Sequence, residues 1–101
     1  MPYEKALAAL ADPTRRAVLE SLRGGGRSVG EIAATLPVSR PAVSQHLKAL
    51  KEAGLVADEA RGTARIYRIH AEGLRELRDW LDGFWGDALE RFKTYAEGDA
   101  Q

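Results

Sequence analysis

The sequence predicts a mainly α-helical fold that carries one β-hairpin, with the element order α-α-α-α-β-β-α. Apolar residues recur at helical spacing in four short stretches and in one long C-terminal stretch. Between residues 55 and 69 this spacing gives way to the alternation that is typical of strands. With 101 residues, of which 45% are apolar, the chain can form one domain with a single core, so residues 1–101 are predicted to be one unit.

Two short helices open the chain. Alanine and leucine residues predict the first helix within residues 3–10. Asp12 and Pro13 predict the start of the second, over residues 13–22, because aspartate is a favoured N-cap and proline suits the first helical position. Three glycines follow at 24–26. They lack the lysine and serine spacing of a phosphate-binding loop and come after a helix, so we interpret them as a connector.

The next segment is a pair of helices joined by a very short turn. Ser28 opens an S-x-x-E capping box, which predicts a helix that ends before Pro37. Ser39 is the N-cap of the following helix, and Gly54 is a suitable residue to end it. Because only two residues separate the first helix from the second cap, the arrangement is a helix-turn-helix over about residues 28–53.

The second helix of this pair has one apolar side and one polar side. Its apolar stripe consists of Val43, Leu47 and Leu50. The opposite side offers hydroxyl, amide and cationic groups without a carboxylate, at Arg40, Ser44, Gln45, Lys48 and Lys51. Short hydrogen-bonding side chains recognise base edges and cations bind phosphates, so this side predicts contact with DNA. An ordinary solvated helix surface is the alternative.

A β-hairpin over about residues 55–69 follows directly. Tyr67 and Ile69 share one face of its second strand. A hairpin placed after a helix-turn-helix is typical of a wing, and Arg61 and Arg65 flank its turn. These arginines are predicted to reach backbone phosphate or the minor groove. The alternative is a solvated hairpin with no ligand.

One long amphipathic helix is predicted over residues 71–97. At about 1.5 Å per residue it measures about 40 Å, which is longer than the core of so small a domain is wide. An uncovered apolar stripe is typical of an interface, and the simplest partner is a second copy bound through the first and last helices. The predicted interface residues are Leu7, Leu74, Leu77, Leu81, Phe84, Trp85, Leu89 and Phe92. The alternative is a monomer whose helix folds back on its own core.

Charge is distributed unevenly, although the formal net charge is zero. Residues 13–70 carry ten Lys or Arg and five Asp or Glu, whereas residues 71–101 carry four and eight. A basic middle segment suits contact with a polyanion, and an acidic C-terminal helix suits a surface turned away from it.

The composition disfavours several classes of protein. The chain has no cysteine, which excludes disulfides and thiolate metal sites. It shows neither a signal peptide nor an apolar run of about 20 residues, so we expect a cytoplasmic protein. Ser44 and His46 lie two residues apart on a helix and do not face each other, and no carboxylate pair stands out. We therefore predict no enzymatic activity and no cofactor.

Three runs of sequence carry a family resemblance: ALADPTRRAVLESL, SVGEIAATLPVSRPAVSQHLKALKEAGLV and RGTARIYRI. They resemble the ArsR-type (arsenic-repressor-like) family of winged helix-turn-helix transcription regulators, over about residues 4–97. The later run WLDGFWGDALERFKTY resembles a metal-independent branch of that family.

The resemblance implies a homodimer that binds an imperfect palindrome in double-stranded DNA and represses its own operon. It places the second helix of the helix-turn-helix in the major groove. The contacting residues would then be Ser39, Arg40, Ser44, Gln45 and Lys48. Gln45 would make a bidentate contact with adenine, and Lys48 would bind phosphate together with the wing arginines.

Metal sensing does not carry over from the family to this chain. The family's metal ligands are cysteines in the helix before the turn, or Asp and His residues in the last helix. This chain has no cysteine, and its last predicted helix has no histidine. The two histidines, His46 and His70, lack a ligand partner at helical spacing. His46 borders an apolar stripe, so we favour a half-buried packing role over base recognition.

Two other functions remain as alternatives. One is a winged-helix protein-interaction module that uses its C-terminal helix, and the other is a sensor that responds to a small molecule without a metal. The acid-free helix side argues against the first. The salt dependence of binding distinguishes a protein-interaction module from a DNA-binding protein. Counterion release makes the affinity for DNA fall steeply as the salt concentration rises, whereas the affinity of an apolar contact changes little.

Overall fold

The computed structural model describes residues 3–99, which form five helices and one small antiparallel sheet. The elements follow the chain in the order α1 (Glu4–Leu10), α2 (Pro13–Glu20), β1 (Arg27–Ser28), α3 (Val29–Thr35), α4 (Arg40–Glu52), β2 (Val56–Arg61), β3 (Ala64–Ile69) and α5 (Ala71–Asp99). The predicted fold class and order are confirmed, with one strand added between α2 and α3.

Capping side chains set where α2, α3 and α4 begin. Asp12 accepts hydrogen bonds from two N–H groups in the first turn of α2, at 2.8 and 3.0 Å. The hydrogen bond from the Arg15 backbone is the main reason that the pKa of Asp12 lies below its ordinary value. Ser28 and Glu31 form the predicted capping box of α3, and Ser39 caps α4. These caps satisfy N–H groups that a first turn otherwise leaves without a partner.

The hairpin is part of a three-stranded sheet with the strand order β1-β3-β2. β2 and β3 pair antiparallel, with Val56 opposite Ile69. β1 pairs antiparallel with β3, with Arg27 opposite Tyr67. The sequence predicted no strand here, because two residues are too few to show an alternating pattern.

The core lies between the short helices and the inner side of the sheet. Its fully buried side chains are Val18, Ile32, Val43, Leu47, Leu50 and Leu55. Tyr67 and Ile69 pack against it from β3. The apolar stripes of α2, α3 and α4 therefore point inward as predicted, and each large side chain contributes about 1.5–3 kcal/mol by leaving water.

α5 packs on this core only through its first turns. Leu77 is 6% exposed, and Leu74 and Trp80 are partly buried against the core. From Leu81 to Gly98 every residue is exposed. The prediction that Leu77 lies in a dimer interface is wrong, because the first turns of α5 lie over α1 and place this side chain in the core of its own chain.

Aromatic contacts hold the start of α5 against α1. The ring of Tyr3 stacks on Trp80 with the ring centroids 4.7 Å apart. Trp80 meets the edge of Phe84 at 4.8 Å. Ring pairs in these geometries stabilise contacts beyond the area that they bury, so the base of α5 is anchored while the rest of the helix extends away.

Candidate nucleic-acid interface

A tight turn joins α3 to α4 and directs one side of α4 toward solvent. The turn is closed by a hydrogen bond from the N–H of Val38 to the carbonyl of Leu36, at 2.8 Å. The inner side of α4 is held by three completely buried side chains, Val43, Leu47 and Leu50. We call the opposite side the recognition face; it consists of Arg40, Ser44, Gln45 and Lys48, all exposed.

Three residues of the recognition face have unused hydrogen-bonding groups. Within residues 3–99, the side chains of Ser44, Gln45 and Lys48 form no hydrogen bond or ion pair. Glu52 is the one acidic residue of α4, and it is the last residue of the helix. No carboxylate of α4 therefore interrupts the recognition face, and its hydroxyl, amide and ammonium groups are available to a ligand.

Ser39 and Arg40 are already engaged within the helix pair. The hydroxyl of Ser39 accepts a hydrogen bond from the N–H of Ala42 at 3.3 Å. The guanidinium of Arg40 lies across Gly30 of α3, where a Cβ would come within 3.0 Å of its Nη2 atom. Gly30 thus leaves room for this arginine, which stays exposed on its other side. The structure presents Arg40 beside the turn rather than extended from α4.

The wing arginines form ion pairs within the wing. Nη2 of Arg61 lies 3.5 Å from Oε1 of Glu59, and Nη1 of Arg68 lies 3.1 Å from the same oxygen. Arg65 pairs with Asp58 at 2.8 Å. The side chains of Arg61 and Arg65 are 72% and 55% exposed. Exposed pairs contribute only about 0–1 kcal/mol, so a phosphate can replace Glu59 on Arg61 at little cost.

Asp58 joins the wing to α4. Its Oδ1 lies 2.8 Å from Nζ of Lys51, its Oδ2 lies 2.8 Å from Nη1 of Arg65, and its side chain is 6% exposed. The hydrogen bonds from Lys51 and then from Arg65 hold the pKa of Asp58 below its ordinary value. The carboxylate is therefore ionised at neutral pH and bridges the last turn of α4 to β3.

The sequence did not predict the role of Asp58. Its two partners are seven residues before and seven residues after it in the chain. The three residues lie on α4, β2 and β3, so no helix or strand period relates them and nothing local indicates the bridge. The sequence placed Lys51 on the polar side of α4, and the structure shows that its ammonium is part of this bridge.

His46 lies outside the recognition face. It is half-buried, and its Nδ1 atom is buried without a hydrogen-bond partner among the described residues. This burial supports the predicted packing role rather than base recognition.

The outer part of α5 presents a continuous apolar surface. Six large side chains are between 42% and 71% exposed, and we call them the α5 apolar face: Leu81, Phe84, Trp85, Leu89, Phe92 and Tyr95. Leu7 of α1 is 38% exposed. Apolar side chains grouped in this way are typical of a protein interface. Of the predicted interface residues, all except Leu77 and the half-buried Leu74 are therefore accessible to a partner.

The surface clefts are open and shallow. One cleft, of about 350 Å³, lies between α2 and α3 and is lined by Ala17, Glu20, Ser21, Arg27, Thr35 and Leu36. Among residues 3–99, no three His, Asp or Glu side chains are grouped so as to hold a metal ion. None of the helices in that range is long and apolar enough to cross a membrane.

Comparison with known proteins gives a consistent result. A family model described as a helix-turn-helix domain matches residues 10–59. The chain is 53% identical to the HTH-type transcriptional regulator Rv2034 of Mycobacterium tuberculosis over 95% of its own length and 92% of that protein. It is 36% identical to the transcriptional repressor SdpR of Bacillus subtilis over 75% of its own length and 84% of that protein.

A solved structure extends this similarity to three dimensions. It is the homodimeric winged helix-turn-helix DNA-binding domain of a Mycobacterium bovis protein, described as a possible ArsR-family transcriptional regulator. The two chains superpose with a TM-score of 0.69 at 30% identity, covering 85% of this chain and 80% of the other.

Proposed function

The chain belongs to the ArsR-type family of winged helix-turn-helix, DNA-binding transcriptional regulators, and we propose that it is a homodimeric repressor of a twofold-symmetric operator. Its family consists of regulators rather than enzymes. In this proposal the α4 helix of each protomer enters the major groove, and the dimer represses transcription by occupying the operator in the cytoplasm.

The recognition face of α4 is the observation that carries the proposal. Three of its side chains have no partner in the free protein, and no carboxylate lies among them. The amide of Gln45 has the donor and acceptor pair that matches the N7 and N6 edge of adenine, and Ser44 can bind several bases. Lys48 lies one turn further along the helix, at a position suited to a phosphate.

The wing supplies a second set of contacts in this proposal. Arg61 is the last residue of β2 and Arg65 lies near the start of β3, so both are close to the hairpin turn, and both remain more than half exposed. A phosphate that approaches Arg61 replaces a weak surface pair with Glu59. Arg65 keeps Asp58 as a partner, which holds its guanidinium in a fixed orientation. This orientation favours contact with one particular phosphate over a general attraction to the charge of the DNA backbone.

The α5 apolar face supports the dimer. An exposed Trp, Tyr and two Phe side chains on one helix are costly in water and are typical of the anchors of protein interfaces. In a twofold dimer each α5 packs against its copy, with Leu7 of α1 at the edge. The acidic excess of residues 71–101 then lies away from the DNA phosphates.

A binding titration tests this function directly. Labelled duplexes are titrated with the full chain by fluorescence anisotropy at 50 and 200 mM salt. The duplexes are the region upstream of its own gene, a duplex selected from a random pool, and a shuffled control. We expect binding to the selected duplex roughly 10³-fold or more tighter than to the shuffled one, steep weakening with salt, and two chains per site.

The alternatives predict different results. A protein-interaction module selects no sequence from the pool, and its apolar contacts change little with salt. A monomer binds one chain per half-site without cooperativity. Either outcome contradicts the proposed repressor.

A further inference from the structure

The start of α5 touches the end of α4 backbone to backbone. Gly73 lies in the first turn of α5, and Gly54 ends α4 with a positive φ of 78°. A Cβ on Gly73 would overlap the carbonyl oxygen and carbon of Gly54. The overlapping atoms belong to the backbone and not to the end of a flexible side chain, so only glycine fits without displacing one of the two segments.

We call the contact between Gly73 and Gly54 the joint. A backbone hydrogen bond between the neighbouring residues also holds it. The N–H of His70, just before α5, donates to the carbonyl of Leu55, just after Gly54, at 2.9 Å. Leu55 is fully buried and Leu77 is almost fully buried. The end of α4 and the first two turns of α5 are therefore held by two backbone contacts over buried apolar side chains.

We propose that Gly73 is a positioning residue: its contact with Gly54 sets the direction of α5 relative to α4, and thereby the distance between the two recognition helices of the dimer. The proposal rests on the homodimer proposed above. It adds that this joint determines which separation of half-sites the protein accepts.

Helix geometry explains why a small change at the joint matters. Gly73 and Trp85 are separated by twelve residues of α5, or about 18 Å at about 1.5 Å per residue. In the dimer, a tilt at the base of α5 moves the α4 helix of each protomer relative to the α5–α5 interface. Because the twofold axis applies the same movement to both protomers, the distance between the two α4 helices changes by twice as much. Twofold-symmetric helix-turn-helix dimers need their recognition helices about one DNA turn, or a multiple of it, apart.

The chain offers a matched pair of variants. Gly73→Ala adds a methyl group at the joint. Gly83→Ala adds the same group to the same helix where nothing lies within 4 Å. Two residues at about 100° each turn Gly83 by about 200° around the helix axis from Leu81, which places it on nearly the opposite side of α5 from the α5 apolar face. Both changes favour the helix by up to about 1 kcal/mol, so any difference between them comes from the joint.

The first measurement is DNA binding with altered half-site spacing. The duplex that the unmodified protein selects from a random pool is remade with one base pair inserted or removed between its half-sites. For Gly73→Ala we expect the preference for the original over the best respaced duplex to fall about tenfold or more, with unchanged affinity for a single half-site. Gly83→Ala should keep the original preference.

The second measurement does not need the operator, and its first part does not need a folded Gly73 variant. The chain has no cysteine, so Thr63→Cys at the exposed wing tip gives one spin label per protomer. Pulsed EPR of the free dimer should show a single narrow inter-label distance in the unmodified background and with Gly83→Ala. A shifted distance is expected with Gly73→Ala, with dimerisation intact by sedimentation.

Each result has one meaning. A broad distance distribution in the unmodified background shows that α5 is not rigidly joined to α4, and it overturns the inference whether or not Gly73→Ala folds. A Gly73→Ala dimer with unchanged distance and spacing preference also overturns it, while leaving the repressor intact. If the unmodified protein is a monomer or selects no twofold site, the proposed function fails and the inference fails with it.

Discussion

The carboxylate of Asp58 and the ammonium of Lys51 lie 2.8 Å apart and connect the wing to the last turn of the recognition helix. The same carboxylate holds Arg65 of β3. α4 and the wing thus share one carboxylate, whose side chain is 6% exposed and which orients a cation on each. The bridge leads to a prediction about pH and stability.

Asp58→Asn should destabilise the protein most at neutral pH and progressively less in acid. The pKa of Asp58 is lowered in the folded state by Lys51 first and then by Arg65. Stabilisation by the ionised pair is therefore fully present above the unfolded pKa of about 3.9, and it is lost as the pH falls through the lower folded value. Urea unfolding at pH 7, 5, 4 and 3, at fixed protein concentration, measures the difference.

Asp87→Asn is the control for this experiment, because Asp87 is an exposed carboxylate on the outer part of α5. It should show little difference at any pH. A stability difference for Asp58→Asn that stays constant from pH 7 to pH 3 would contradict a role for the ionised bridge.

Gln45→Ala should weaken binding to the operator by about 1–3 kcal/mol, because it removes a bidentate contact with one base. Binding to a shuffled duplex should change little. Fluorescence anisotropy with both duplexes measures the two effects, and Ser44→Ala serves as a neighbouring comparison on the same face. Equal losses on both duplexes would remove Gln45 from the residues that recognise bases.

Lys48→Ala should weaken operator and shuffled duplex alike. A phosphate contact releases counterions, so its loss should reduce the slope of log affinity against log salt by about 1. Lys93→Ala is the control, since Lys93 is equally cationic and exposed but lies far along α5. An unchanged slope for Lys48→Ala would mean that this lysine binds no phosphate.

Leu89→Asp should dissociate the dimer. Leu89 is 68% exposed in the protomer, so the aspartate does not disturb the core. In the twofold dimer interface, however, the substitution places two carboxylates among apolar side chains. Sedimentation velocity should show a monomer, and operator binding should weaken because one half-site binds at a time. Lys93→Asp introduces the same carboxylate on the charged side of α5 and should remain dimeric. A Leu89→Asp dimer as tight as the unmodified one would place the interface elsewhere.

The helix boundaries, the turn between α3 and α4 and the hairpin follow from the sequence because their causes are local. Capping residues accept hydrogen bonds from N–H groups two or three residues away, as Ser28 and Ser39 do. Apolar stripes reflect the period of a single helix. The predicted elements differ from the observed ones by one or two residues at most ends, and the recognition face lies where the stripe on α4 predicted it.

β1 and the ion pairs of Arg65 and Arg68 across the hairpin have no local cause. β1 exists because Arg27 and Ser28 lie beside β3, which is distant in the chain. Arg61 and Arg65 were predicted to reach phosphate or the minor groove, with no partner in the protein foreseen. Arg65 and Arg68 of β3 pair with Asp58 and Glu59 of β2 across the hairpin, and Arg61 pairs with Glu59 on its own strand. A pattern read along one strand contains no information on which charged side chain lies opposite.

The sequence by itself determined the order of the elements, the helix-turn-helix and the polar outer side of α4, since each depends on residues within one or two helical turns. The uneven distribution of charge follows from the sequence alone, because it is a count along the chain. Only the tertiary structure decided that Leu77 is a core residue, that Asp58 joins α4 to the wing, and that Gly73 rests on Gly54. These three relationships join residues that belong to different secondary-structure elements. Their geometry depends on how the helices pack together, which no local pattern specifies.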